Sequence, residues 1–173
     1  MPTSSVLLLP GGATLPDGST GNLAPALIRV QGSEANPKKH LLALAFDGAG
    51  GKELAWWTFR MPADYLSGGA VKIQWRLNGT ANAVKWQATI GAVTPNDADT
   101  PAEHASAAAS ATTTNVNTTE AGRLTETSIT LANLDGIAAG DLVFLCIFRD
   151  SADGADTATQ DAELLAATLE YTS

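Results

Sequence analysis

The chain has 173 residues, 45% hydrophobic and 16% charged, with 18 acidic against 10 basic side chains and a net charge of −8. That length supports one domain burying about 70% of its unfolded surface, and so apolar a composition excludes ordinary disorder. Binding to a phosphate backbone requires Lys and Arg gathered on one face, and here they are scattered along the sequence among acids, so no nucleic acid partner is expected.

Residues 1–39 differ in kind from the rest. Pro2, Pro10, Gly11, Gly12, Pro16, Gly18, Gly21, Pro25 and Pro37 interrupt them so densely that only Ala26 to Gln31 is expected as a strand, anchored by Leu27 and Ile28. The segment is therefore expected as an extended N-terminal arm: a flexible tail, a wrap on its own subunit, or a grip on a neighbour. Its apolar run Val6 to Leu9 is too short for a secretory core and has no basic residue before it. No apolar stretch approaches the ~20 residues of a membrane span. A soluble protein made in a cytoplasm, with no membrane partner, is the expectation.

From His40 onward the period is two. Strands are expected at about 41–46, 54–60, 70–78, 84–92, 106–118, 124–131, 142–149 and 161–171. Val71, Ile73, Trp75 and Leu77 alternate with polar residues, as do Val84, Trp86, Ala88 and Ile90, and Asn78-Gly79-Thr80-Ala81-Asn82 between them suits a hairpin. Thr100-Pro101-Ala102-Glu103 has the spacing of a capping box, yet Thr112-Thr113-Thr114-Asn115-Val116 is β-prone. We expect an irregular loop or a single helical turn there, leading into a strand within 106–118.

The strand at 142–149 is apolar on both faces. Val143, Leu145 and Ile147 lie on one, and Leu142, Phe144, Cys146 and Phe148 on the other, so a loop, the arm or another subunit must cover the second face. In the strand at 54–60, Ala55, Trp57 and Phe59 share a core face, which leaves Trp56 on the other with Thr58 and Arg60. Trp75 and Trp86 are also expected in the core. Trp56 is thus the tryptophan open to a partner or to a stacked sugar, and Trp56, Leu142, Phe144 and Phe148 are the candidate subunit or partner contacts.

Motifs for chemistry are absent. His40 and His104 lack the spacing of a zinc site, and no nucleophile elbow, phosphate-cradling loop or His-Glu-x-x-His occurs. Asp150-Ser151-Ala152-Asp153-Gly154-Ala155-Asp156 lacks the alternation of a calcium loop and is expected as a solvated turn. The lone Cys146 is expected as a buried hydrophobe. No catalytic residue, cofactor or metal is assigned, and the chain is expected not to be an enzyme.

Three stretches together resemble the jelly-roll domains of tailed-phage virion proteins: Leu41-Leu42-Ala43-Leu44-Ala45-Phe46-Asp47, Trp56-Trp57-Thr58-Phe59-Arg60-Met61-Pro62-Ala63-Asp64-Tyr65, and Ala139-Gly140-Asp141-Leu142 through Arg149-Asp150 to Asp161-Ala162-Glu163-Leu164-Leu165. The resemblance implies an all-β, eight-stranded jelly-roll β-sandwich over 40–173 behind the arm of 1–39. It further implies a non-enzymatic structural protein of the virion, made in the host bacterial cytoplasm. Within that class it points to a capsid cement or decoration protein, a homotrimer with the major capsid protein or other virion proteins as partners. The alternative is a receptor- or glycan-binding module of a tail fibre or baseplate, because one fold serves both.

Overall fold

The period of two is realised in full: Val71, Ile73, Trp75 and Leu77, and likewise Val84, Trp86, Ala88 and Ile90, are completely buried. The computed structural model describes residues 2–80, 82–115 and 121–173. Among these, ten strands form: β1 Thr3–Leu8, β2 Ala26–Gln31, β3 His40–Phe46, β4 Lys52–Arg60, β5 Ser67–Leu77, β6 Ala83–Val93, β7 Ser110–Asn115, β8 Thr125–Thr130, β9 Leu142–Asp150 and β10 Ala162–Thr172. One sheet runs β2-β3-β10-β5-β8 with β1 added along β10, and the other runs β4-β9-β6-β7. The pairings within both are antiparallel, and the two sheets enclose a single core as an all-β jelly-roll sandwich.

The eight expected strands are all present, and two more, β1 and β2, bring the sheets to six and four strands. Both additions come from residues 1–39. The reason is the length of β10: β3 covers only Ala162 to Leu164 on one side of it, and β1 occupies the remainder of that side from Leu8↔Ala167 to Thr3↔Thr172. An open strand edge is a liability, and the arm closes this one. Farther along, the arm lies on the edge of β4. Thr14 and Trp56 exchange backbone hydrogen bonds of 2.8 and 3.0 Å, the Leu54 N–H donates to the Leu23 carbonyl at 3.0 Å, and the Trp57 indole N–H donates to the Leu9 carbonyl at 2.9 Å. The arm thus wraps its own subunit.

The segment at 78–82 is not a hairpin. β5 belongs to the six-stranded sheet and β6 to the four-stranded one, so the connection crosses the sandwich. Two consecutive amphipathic strands can bury their apolar faces against each other as well as side by side, and here they face each other. Trp75 and Trp86 meet edge to face with ring centroids 5.7 Å apart, and Phe46 meets Trp86 at 5.0 Å. At the contested region, the Glu103 and His104 N–H groups both return to the Thr100 carbonyl in a single turn, and β7 follows. Positions 116–118 of the expected strand lie outside the described residues.

The acidic turn after β9 serves the core. Arg149 is fully buried and uses all five donors: Nε and Nη2 to the Asp156 carboxylate at 2.8 Å each, Nη1 to the Phe46 and Gln160 carbonyls at 3.0 and 2.9 Å, and Nη2 to the Ala158 carbonyl at 2.5 Å. Asp153 holds Lys85 at 2.5 Å. These carboxylates are structural counter-ions, and Asp156 is buried rather than solvated.

Candidate binding site

The outward face of the four-stranded sheet carries an aromatic floor. Register places Trp56 beside Cys146 and Thr89 in one row, and Thr58 beside Phe144 and Gly91 in the next. A third row sets Leu54 beside Phe148 and Gln87. Trp56 and Phe144 are half-buried, whereas Cys146 and Phe148 are nearly sealed at 2% and 4% exposure. The Lys52 ammonium stands 4.1 Å over the Phe148 ring. Burial pushes the Cys146 thiol up to about 12, so it is inert at neutral pH.

Two walls rise from this floor. Thr14 of the arm forms one, along the edge of β4. The other is the segment 101–107, tied to β6 by the Ala107 N–H donating to the Ile90 carbonyl at 2.8 Å and by the Thr89 hydroxyl donating to the Ala107 carbonyl. Gly91 permits this approach, since a Cβ there would stand 3.2 Å from the Ser106 hydroxyl oxygen. Between the walls lies a trough of about 220 Å³ with Trp56, Phe144 and Thr58 at its base and Thr14, His104 and Ser106 among its lining.

His104 braces the second wall. Its Nδ1 lies 3.1 Å from the Asp99 carboxylate and its Nε2 lies 2.6 Å from that of Asp135. The hydrogen bond to Asp135, and secondarily the two negative charges, raise its pKa above the ordinary 6.5. Asp135 itself has φ 55° and also accepts the Ala92 N–H at 2.9 Å, so one carboxylate joins β6, the wall and the 131–141 loop.

Of the sequence candidates, the fold brings Trp56 and Phe144 together in the trough. Leu142 lies at the end of β9, opposite Arg60 and Val93. Phe148 shares the face, but at 4% exposure it presents almost no surface to a partner. Thr14, Ser106 and His104 were not legible as site residues. Their proximity to Trp56 depends on the path of the arm and on the Asp99–His104–Asp135 contact, which no local spacing encodes.

No family model matches the chain, and no curated protein matches it. Among solved structures, it is similar to a carbohydrate-binding module described as specific for non-crystalline cellulose, CBM28, at 13% identity and a TM-score of 0.46, covering 91% of this chain and 84% of that one. A second is TmCBM61 in complex with β-1,4-galactotriose, at 10% identity and TM-score 0.39, covering 99% and 89%. A third is the enzymatically active domain of tailspike protein 4 of bacteriophage CBA120, at 9% identity and TM-score 0.36, covering 96% of this chain and 19% of that one. Likenesses this distant carry no argument about what this chain binds.

Proposed function

We propose that the chain is a non-enzymatic glycan-binding module whose site is the trough over Trp56. The observation that carries this reading is an accessible indole and the Phe144 ring in the floor of a cleft lined by the hydroxyls of Thr14, Thr58 and Ser106 and by His104. A pyranose ring presents an apolar C–H face and a rim of hydroxyls, and such a cleft offers an aromatic platform with polar groups at its margins. The residues lining it include no pair of carboxylates with which to cleave a glycosidic bond. In the virion setting implied by the sequence resemblance, the module belongs to a tail fibre or baseplate. Capsid cement is the second reading, favoured by a separate patch of exposed leucines, Leu7, Leu9, Leu41 and Leu42.

The test is calorimetric titration of the wild type and Trp56→Ala with a panel of soluble glucans and galactans, alongside a glycan array. Binding of at least one glycan, lost in Trp56→Ala while the circular dichroism spectrum is unchanged, supports the reading. Absence of binding across the panel and array, or binding indifferent to Trp56→Ala, refutes it.

A further inference from the structure

At the edge of the six-stranded sheet, β3 leaves β10 after Leu44↔Leu164, and β1 does not join β10 until Leu8↔Ala167. A register shift of β10 between Leu164 and Ala166 lies in this interval. The strands part around a notch of about 610 Å³ lined by Leu7, Leu9, Leu41 and Leu42, with Trp57 and Phe59 also reaching it. The four leucines remain 60, 52, 48 and 46% exposed. All four line this one notch rather than standing as scattered single residues.

The rim of the notch is basic. Arg29 lies directly opposite Leu42 in the β2–β3 register and so shares its face. Lys38, Lys39 and His40 lead into β3. Three of the ten Lys and Arg residues therefore sit on this one hairpin, against a single acid, Glu34. Glu34 meets Lys39 at 3.5 Å, while Arg29 and Lys38 have no acidic partner among the described residues. The residues lining the notch include no carboxylate. This hairpin is thus a cationic segment of a protein whose net charge is −8.

We propose that the notch and its basic rim form a self-association surface that receives an acidic face of a second copy of the chain. Charge complementarity selects this occupant. Two hairpins placed against each other would oppose Arg29 and Lys38 of both copies, whereas the remainder of the molecule supplies an excess of carboxylates to meet them. The leucines provide the apolar centre of the contact and the cations its rim. The surface lies apart from the trough and stands whether or not the trough binds a glycan.

The experiment is sedimentation velocity and light scattering on the full chain, whose monomer is 17.8 kDa. Mass should rise above that of the monomer between about 1 and about 100 µM, and the association should weaken at about 1 M salt, where the Debye length is ~3 Å. Leu42→Asp and Arg29→Glu should each weaken association at least ~10-fold while leaving the fold intact, since both positions are exposed. Should Leu42→Asp misfold, Arg29→Glu decides. Trp56→Ala should leave association unchanged. A monomer at every concentration, association that survives Arg29→Glu, or association lost in Trp56→Ala would each overturn the proposal.

Discussion

Replacing Asp156 with Ala tests whether the acidic turn holds the sandwich together from within. The substitution removes two charge-assisted hydrogen bonds from the buried Arg149 and also the acceptor of the Lys85 N–H at 3.1 Å. A hydrogen bond to a charged group contributes about 1.5–3 kcal/mol, and stranding one member of a buried ion pair costs about 3–5 kcal/mol. The two bonds taken together fall in the same range. For a domain of this size that corresponds to a fall in Tm of about 6–20 °C. Urea unfolding monitored by tryptophan fluorescence provides the free energy directly. The double variant Arg149→Met/Asp156→Leu removes the stranded charge and leaves three backbone carbonyls, those of Phe46, Ala158 and Gln160, without their donors. It should therefore be more stable than Asp156→Ala and less stable than wild type. A cost below about 1 kcal/mol for Asp156→Ala, the value typical of an exposed pair, would refute the claim that this guanidinium is sealed from water.

Because the carboxylates of Asp135 and Asp99 raise the His104 pKa above 6.5, the wall they brace is fully stabilised below about pH 6.5 and loses that support as pH rises through the raised value. Hydrogen exchange across 94–107, corrected for its intrinsic pH dependence, should accelerate from about pH 6 to about pH 8 in the wild type and show no such step in His104→Gln. An identical profile in the two proteins would remove His104 from this role. Trp57→Phe retains a large ring in the core but deletes the bond from the indole to the Leu9 carbonyl, so it should cost about 1–2 kcal/mol and hasten proteolysis between Leu9 and Asn22. Unaltered cleavage there would mean that the arm is held by its strand pairing alone.

Strand positions were legible because a half-buried strand has a local signature. The alternation through β5 and β6 marks which side chains point inward, and the split of Trp56 from Trp57 follows from the same rule: Trp57 is 4% exposed, while Trp56 lies half-buried on the outer face. Strand partners were less legible. Asn78 to Asn82 has hairpin chemistry, yet whether two amphipathic strands pair or face each other is decided by the other strands available to them. β1 was hidden for a related reason. Thr3 to Leu8 becomes a strand because β10 offers an unfilled edge, a property of residues more than 150 positions away. The second apolar face of β9 is covered in part by its own subunit, where Leu54 and Trp56 of β4 pack with Cys146 and Phe148 and Lys52 stands over the Phe148 ring, while Leu142 and Phe144 stay half-buried. The setting of Arg29 was not legible for the opposite reason: it is 13 positions from Leu42 in sequence, and only the β2–β3 pairing sets it opposite that leucine beside the notch.

The pairing of β1 with β10 also sets Pro2 and Ser4 beside Ser173. The Ser173 N–H donates to the Pro2 carbonyl at 3.2 Å, and the Ser4 and Ser173 hydroxyls lie 2.9 Å apart. In space residues 2–173 are nearly a closed loop. A short peptide ligating head to tail would span the gap without distorting either strand and would stabilise the fold by shrinking its unfolded ensemble. The same closure would allow new ends to be opened at the exposed turn around Ala49 and Gly50, so that the order of the strands along the gene could be permuted while the sandwich is kept.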